Sequence, residues 1–210
     1  MRQQRRNNFF VFTILCVLLS SFGCSTLQKK NFSELNSGAF EAKVLVRDKS
    51  ESKSGIVNVQ FKAVKEQKIR MDVLSPVQTH LASLTLNGEE LKYILPQEKK
   101  AFRGVAAPQA MTAVLKMPLN PKLLYNIFFD LPISEKGWSC TKDKSDLLLE
   151  CKTVKGDLKI KWVTRSAEQR VLEVEHAKAF LQINIHKFKG EVKANDSKFD
   201  LKIPDNFKLI

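Results

Sequence analysis

Few residues in this chain could do chemistry, and its cysteines are the most informative of them. Cys140 and Cys151 have ten residues between them, and Lys142 to Ser145 makes a natural turn. If the flanking segments form a hairpin whose paired positions sum to 291, the two thiols sit directly opposite each other. Their Cβ atoms are then close enough for a disulfide. Two buried free thiols are the alternative, and in either case the role is structural. His80, His176 and His186 are widely spaced, with no HxxxH or HExxH pattern to put two imidazoles on one helix face for zinc. The eight glycines are too scattered to build a phosphate loop, and there is no GxSxG elbow. Glu89 and Glu90 lie next to a turn and read as solvated. No catalytic group, metal site or cofactor site is expected, and the sequence reads as a non-enzyme.

Cys24 carries a different chemistry. Arg2, Arg5 and Arg6 precede an apolar stretch from Phe9 to Leu19, interrupted only by Thr13. That stretch is too short to span a hydrocarbon core, which needs ~20 residues, but it fits the apolar region of a signal peptide over residues 1–23. Ser20, Ser21 and Gly23 then lead to Cys24, a pattern that resembles a lipobox, where the thiol is diacylated and the chain is cut before it. An ordinary small-x-small cleavage site is the alternative. Cys16 leaves with the signal, so Cys24, Cys140 and Cys151 remain in an oxidising compartment. Acylating Cys24 removes the odd thiol. Two or three acyl chains, at ~0.8 kcal/mol per buried CH₂, make a stable anchor where one is marginal.

Without residues 1–23 the chain keeps 187 residues and a net charge of +10. That length suits one domain with a single core. The lysines are scattered along the strands, without the aromatic-laced basic stripe that stacks bases, so nucleic acid is excluded. Attraction to anionic headgroups and a merely solvated lysine-rich surface both stay open.

These residues must be positioned by β-structure. Residues 24–36 hold the lipidated cysteine and a polar tether, and residues 37–210 form the folded domain. Period-2 alternation predicts strands around Phe40–Val46, Val57–Phe61, Ile69–Val73, Leu84–Leu86 and Leu91–Leu95. Asn87-Gly88 marks a tight hairpin turn. From Ala107 the spacing changes: Met111, Val114 and Leu115 fall on one helix face. After Pro118 a second helix starts at Asn120-Pro121, carries Leu123, Leu124, Ile127, Phe128 and Leu131, and ends at Pro132. Strands resume at Trp138–Cys140, Leu147–Cys151, Leu158–Trp162, Val171–Val174, Leu181–Ile185 and Phe199–Ile203. The fold class is mainly β (α+β): an unclosed antiparallel β-barrel of about ten to eleven strands, with the inserted helix pair as a lid.

Two segments carry a family resemblance. Lys68-Ile69-Arg70-Met71-Asp72-Val73-Leu74-Ser75-Pro76-Val77-Gln78-Thr79, and Met117-Pro118-Leu119-Asn120 through Leu124, Phe129 and Leu131-Pro132, are similar to the LolA/LolB-like envelope lipoprotein-localisation family. The likeness is greatest to its outer-membrane receptor branch. The resemblance implies a hydrophobic cavity under the helical lid that takes up acyl chains of lipoproteins from a LolA-like periplasmic carrier. It also implies that Pro76, Val77 and Gln78 form a membrane-insertion loop, with Val77 where the family has leucine and Gln78 where it has glycine. The expected cavity residues are Phe40, Val44, Val59, Phe61, Met71, Leu84, Leu115, Leu124, Ile127 and Phe128, although apolar faces at these spacings also build plain core. Ser25 after Cys24 implies sorting to the periplasmic face of the outer membrane. The functional expectation is an outer-membrane-anchored lipid-binding acceptor active in protein transport. The alternative is a structural or interaction lipoprotein that docks a protein partner on the same scaffold.

Overall fold

A computed structural model describes residues 32–166 and 169–210. The expected signal peptide, Cys24 and most of the tether lie outside the described residues. The backbone is one twelve-stranded sheet in the order β12-β6-β5-β4-β3-β2-β1-β11-β10-β9-β8-β7. A first meander comprises β1 (Ser37–Asp48), β2 (Lys53–Val64), β3 (Lys68–Leu74), β4 (His80–Asn87), β5 (Glu90–Leu95) and β6 (Lys100–Val105). A second comprises β7 (Trp138–Lys142), β8 (Leu148–Thr153), β9 (Leu158–Arg165), β10 (Arg170–His176) and β11 (Ala179–Gly190). β1 joins them by pairing with β11, from Gly38 opposite Gly190 to Asp48 opposite Ala179, with a register shift between Glu41 and Ala42. The outermost strands, β7 and β12 (Lys208–Leu209), do not pair with each other, so the barrel is unclosed.

Alternation explains which face is inside. Phe40, Ala42 and Val44 of β1 are buried, as are Val59, Phe61 and Ala63 of β2 and Leu172 and Val174 of β10. The β4–β5 hairpin has Asn87 paired with Glu90, so the turn proper is Gly88-Glu89, with Gly88 at φ +55°. Two differences from the expected strands stand out. β6 carries only Ala101 as a fully buried residue, too weak an alternation to predict. Residues 199–203 are not a strand. Phe199 ends a 3-10 turn (Ser197–Phe199), and the segment crosses the outer face of the sheet instead of pairing with it. Its alternation reflects packing against that face, where Phe199 is buried and the outward-facing Ser83 and Thr85 are covered.

Between β6 and β7 lie α1 (Thr112–Leu115), which continues a 3-10 turn (Pro108–Met111), and α2 (Leu123–Phe129). Both are shorter than expected. Asn120 accepts the Lys122 backbone N–H at 3.1 Å, satisfying one free donor ahead of α2. Asp130, in the left-handed region at φ +51°, ends α2 before Leu131. Every α2 residue except Asn126 is buried, so the helix packs inside the curl of the sheet.

An aromatic floor closes one end of the barrel. The ring centroids of Phe40 and Phe61 are 4.5 Å apart, those of Phe61 and Phe128 3.7 Å, and those of Phe40 and Phe188 4.9 Å. Phe32 joins this floor against Phe188 at 5.4 Å and is only 4% exposed, so the expected tether ends before it. At the sheet edge, Ser139 pairs with Lys152, Cys140 with Cys151 and Thr141 with Glu150. This is the register expected, and Cys140 and Cys151 form a disulfide with Cα atoms 4.0 Å apart.

Candidate functional site

Between the inner face of the sheet and the two helices lies a cavity of about 420 Å³. β1 and β2 contribute Ala42, Val44, Val46, Val57, Val59 and Phe61, and β3 contributes Met71 and Val73. Val174, Leu181 and Ile183 come from β10 and β11, and Val114, Leu115, Leu119, Leu124, Ile127 and Phe128 from the lid. Asp48, Glu51, Lys53, Glu98 and Lys116 are the ionisable groups of the lining, and they sit at its rim. In a meander the turns after β1, β3 and β5 lie at one end. The rim is therefore opposite the phenylalanine floor, and the cavity is a blind pocket.

Its size lies within the ~300–1,000 Å³ of ordinary small-molecule pockets. Walls of this composition offer no nucleophile, imidazole or hydrogen-bond pair in their depth. What they can do is take apolar matter out of water, at ~25 cal/mol per Å² of surface buried. Among the described residues no group of three His, Cys, Asp or Glu side chains could hold a metal. No helix of the described residues is long and apolar enough to cross a membrane.

Of the ten residues expected to line a cavity, Val44, Val59, Phe61, Met71, Leu115, Leu124, Ile127 and Phe128 do so, and Phe40 and Leu84 do not. Phe40 belongs to the floor, at the start of β1. Leu84 is fully buried in β4, where it pairs with Met71 and Tyr93, and is packed core. Val174, Leu181 and Ile183 were legible as core but not as cavity wall, because only the β1–β11 pairing brings them round to face β2.

Pro76, Val77 and Gln78 form a tight turn at the rim end. The Gln78 N–H donates to the Ser75 carbonyl at 2.9 Å, and the Thr79 N–H donates to the Ser75 hydroxyl at 3.0 Å. Gln78 has φ +65°, a conformation that glycine adopts without strain. Val77 is 82% exposed, the most exposed of the large apolar side chains described.

The sequence reading missed the group that holds the lid. The Arg170 side chain is 1% exposed, on the inner face of β10 in phase with Leu172 and Val174. It donates to the Phe128 carbonyl at 3.0 Å and to the Ile127 carbonyl at 3.1 Å. These belong to the last turn of α2, where carbonyls have no helical partner, so Arg170 caps the helix and opposes its dipole. Its guanidinium also lies 4.2 Å from the Phe32 ring centroid. Asp130 is 3.6 Å away and accepts the Trp162 indole N–H at 2.7 Å. Arg165 stands 3.4 Å from the other Asp130 oxygen, near enough for an ion pair but misaligned for a hydrogen bond. Burial raises the Asp130 carboxyl above its ordinary range against the pull of Arg170, Arg165 and Trp162. Burial also lowers the Arg170 guanidinium to about 10, which leaves it cationic at neutral pH. The signal for this latch was an arginine and an aspartate each placed in an otherwise apolar face.

No protein-family model matches the chain, and no curated protein matches it in sequence. Solved structures do. A LolA superfamily protein from Nitrosomonas europaea superposes with a TM-score of 0.51 and 8% identity, covering 78% of this chain and 90% of that one. A DUF1329 family protein from Desulfovibrio piger superposes with a TM-score of 0.50 and 12% identity, covering 80% of this chain and 91% of that one. At these identities the shared property is the fold. This chain has the LolA-like fold, an unclosed antiparallel sheet curled around a short helical lid.

Proposed function

We propose that the protein is a lipid-anchored envelope carrier. It takes acyl chains of lipoproteins or lipids into the cavity under α1 and α2 and releases them to the outer membrane, as a LolB-like acceptor. The supporting observation is the blind, apolar 420 Å³ cavity with charge confined to its rim. Each methylene transferred from water to such a wall contributes ~0.8 kcal/mol, so binding needs no covalent step. In this reading Cys24 is acylated and holds the domain at the periplasmic face, and a LolA-like carrier delivers the cargo. Val77 presents an apolar tip to the bilayer beside the mouth. Valine is smaller than the family leucine, so the tip contributes less insertion energy.

The test is titration of the full chain with a fluorescent fatty-acyl probe, comparing wild type with Val44→Phe and Val59→Phe. Both positions face the cavity, and the added volume should weaken binding at least tenfold while the fold survives. Val163→Thr on the outer face, where Val163 is 55% exposed, should leave binding unchanged. Probe affinity that ignores both phenylalanines would place the probe elsewhere and overturn the reading.

A further inference from the structure

The convex face of the sheet holds a second recess. It is a groove of about 620 Å³, walled by β1, β2, β3 and β11 on one side and by the C-terminal segment on the other. That segment is pinned along its length. Lys68 Nζ donates to the Ala194 carbonyl at 3.1 Å, Arg70 to the Asp200 carbonyl at 3.3 Å, and β12 pairs with β6. The groove is therefore preformed.

Its charges do not balance. Arg70 is paired with Asp72 at 2.7 Å, and Lys187 with Glu41 at 2.9 Å. Lys62 of β2, Lys189 of β11 and Lys198 of the C-terminal segment also line it, and none of their ammonium groups has an ion-pair or hydrogen-bond partner among the described residues. Of the lining carboxylates, Asp200 is left to face them. Burial and the nearby Lys198 lower the Lys62 amine, outweighing Asp196 and Asp72. Like charges held together in a fixed recess lower their mutual repulsion by admitting an anion. Three compact ammonium groups from three elements suit a ligand with several charged oxygens better than a single carboxylate.

We propose that this groove binds a phosphate-bearing anion through Lys62, Lys189 and Lys198. Phosphate chemistry can reach it from an anionic phospholipid headgroup or from a soluble phosphate. The site is on the opposite face from the acyl cavity and does not depend on it.

The experiment is calorimetric titration of the full chain, in nonionic detergent, with inorganic phosphate and with glycerophosphoglycerol. The latter is a phospholipid headgroup without acyl chains, so the apolar cavity does not contribute. Lys62→Gln/Lys198→Gln should weaken binding at least tenfold. Lys155→Gln/Lys178→Gln, which removes the same charge from exposed turns elsewhere, should change it less than twofold. All four lysines are at least partly exposed, and an unchanged Tm confirms that the variants fold. Tighter binding of glycerophosphoglycerol assigns the headgroup; equal or tighter binding of inorganic phosphate assigns the soluble anion. Absence of binding to both ligands, or equal loss in the two double variants, or no loss in the first, overturns the proposal.

Discussion

Replacing Arg170 with methionine tests how the lid is held. The change keeps a long aliphatic stem in the floor but removes the charge and both hydrogen bonds to α2. Those bonds, at 3.0 and 3.1 Å, leave from a side chain that is 1% exposed. A hydrogen bond made by a charged group contributes ~1.5–3 kcal/mol, and breaking one partner of a buried ion pair costs ~3–5 kcal/mol. Asp130 keeps Trp162 at 2.7 Å and Arg165 at 3.4 Å, which softens the loss. The expected destabilisation is therefore about 3 kcal/mol, at the lower end of that range. Asp130→Asn combined with Arg170→Met should cost less than the sum of the two single changes, by at least ~1 kcal/mol of coupling. Urea unfolding reads the stability. Amide hydrogen exchange over residues 123–131 reads the lid, which should lose more protection than β3 or β4. A loss below 1 kcal/mol, or uniform exchange across sheet and lid, would refute the assignment of Arg170 as the latch.

Other perturbations report on separate parts of the fold. Cys140→Ser/Cys151→Ser opens the edge hairpin and should cost about 3 kcal/mol on the loop-entropy model, seen as a lower urea midpoint that reductant no longer shifts. A Cβ on Gly38 would stand 2.6 Å from a Phe188 ring carbon and 2.9 Å from one of Phe40. Gly38→Ala should thus lower stability by about 1–3 kcal/mol, and an unchanged Tm would show that the floor is loosely packed. Burial pushes the Asp72 carboxyl up, but Arg70 and Ser83 together hold it below the ordinary range. A depressed acid stabilises the fold above its unfolded value and loses that contribution as pH falls through the folded one. Asp72→Asn should flatten the stability profile below pH ~4, near the ordinary carboxylate value, and an unaltered acid limb would contradict this.

The meanders were legible because each strand keeps one face apolar. Val57, Val59 and Phe61 read as a strand face without any partner being known, and the disulfide register follows from counting away from a single turn. β6 was not legible, since Ala101 is its one fully buried residue, and the Phe199–Ile203 alternation describes a segment lying across strands. Phe32 sits in a polar stretch and gives no periodic signal, yet it packs beside Arg170. The cavity walls were mostly readable as apolar faces. That they leave a space depends on how far the sheet curls before β1 meets β11, which no local pattern encodes. Arg170 and Asp130 lie forty positions apart, and their meeting is purely tertiary.

The most direct test of the central claim is photocrosslinking of a diazirine fatty acid to the full chain, with the adducts mapped by mass spectrometry. Adducts concentrated on residues 42–59 and 113–128, and lost in Val59→Phe, are the predicted result. Labelling confined to the outer face around Leu149 and Val163, or spread without preference over the surface, would contradict it.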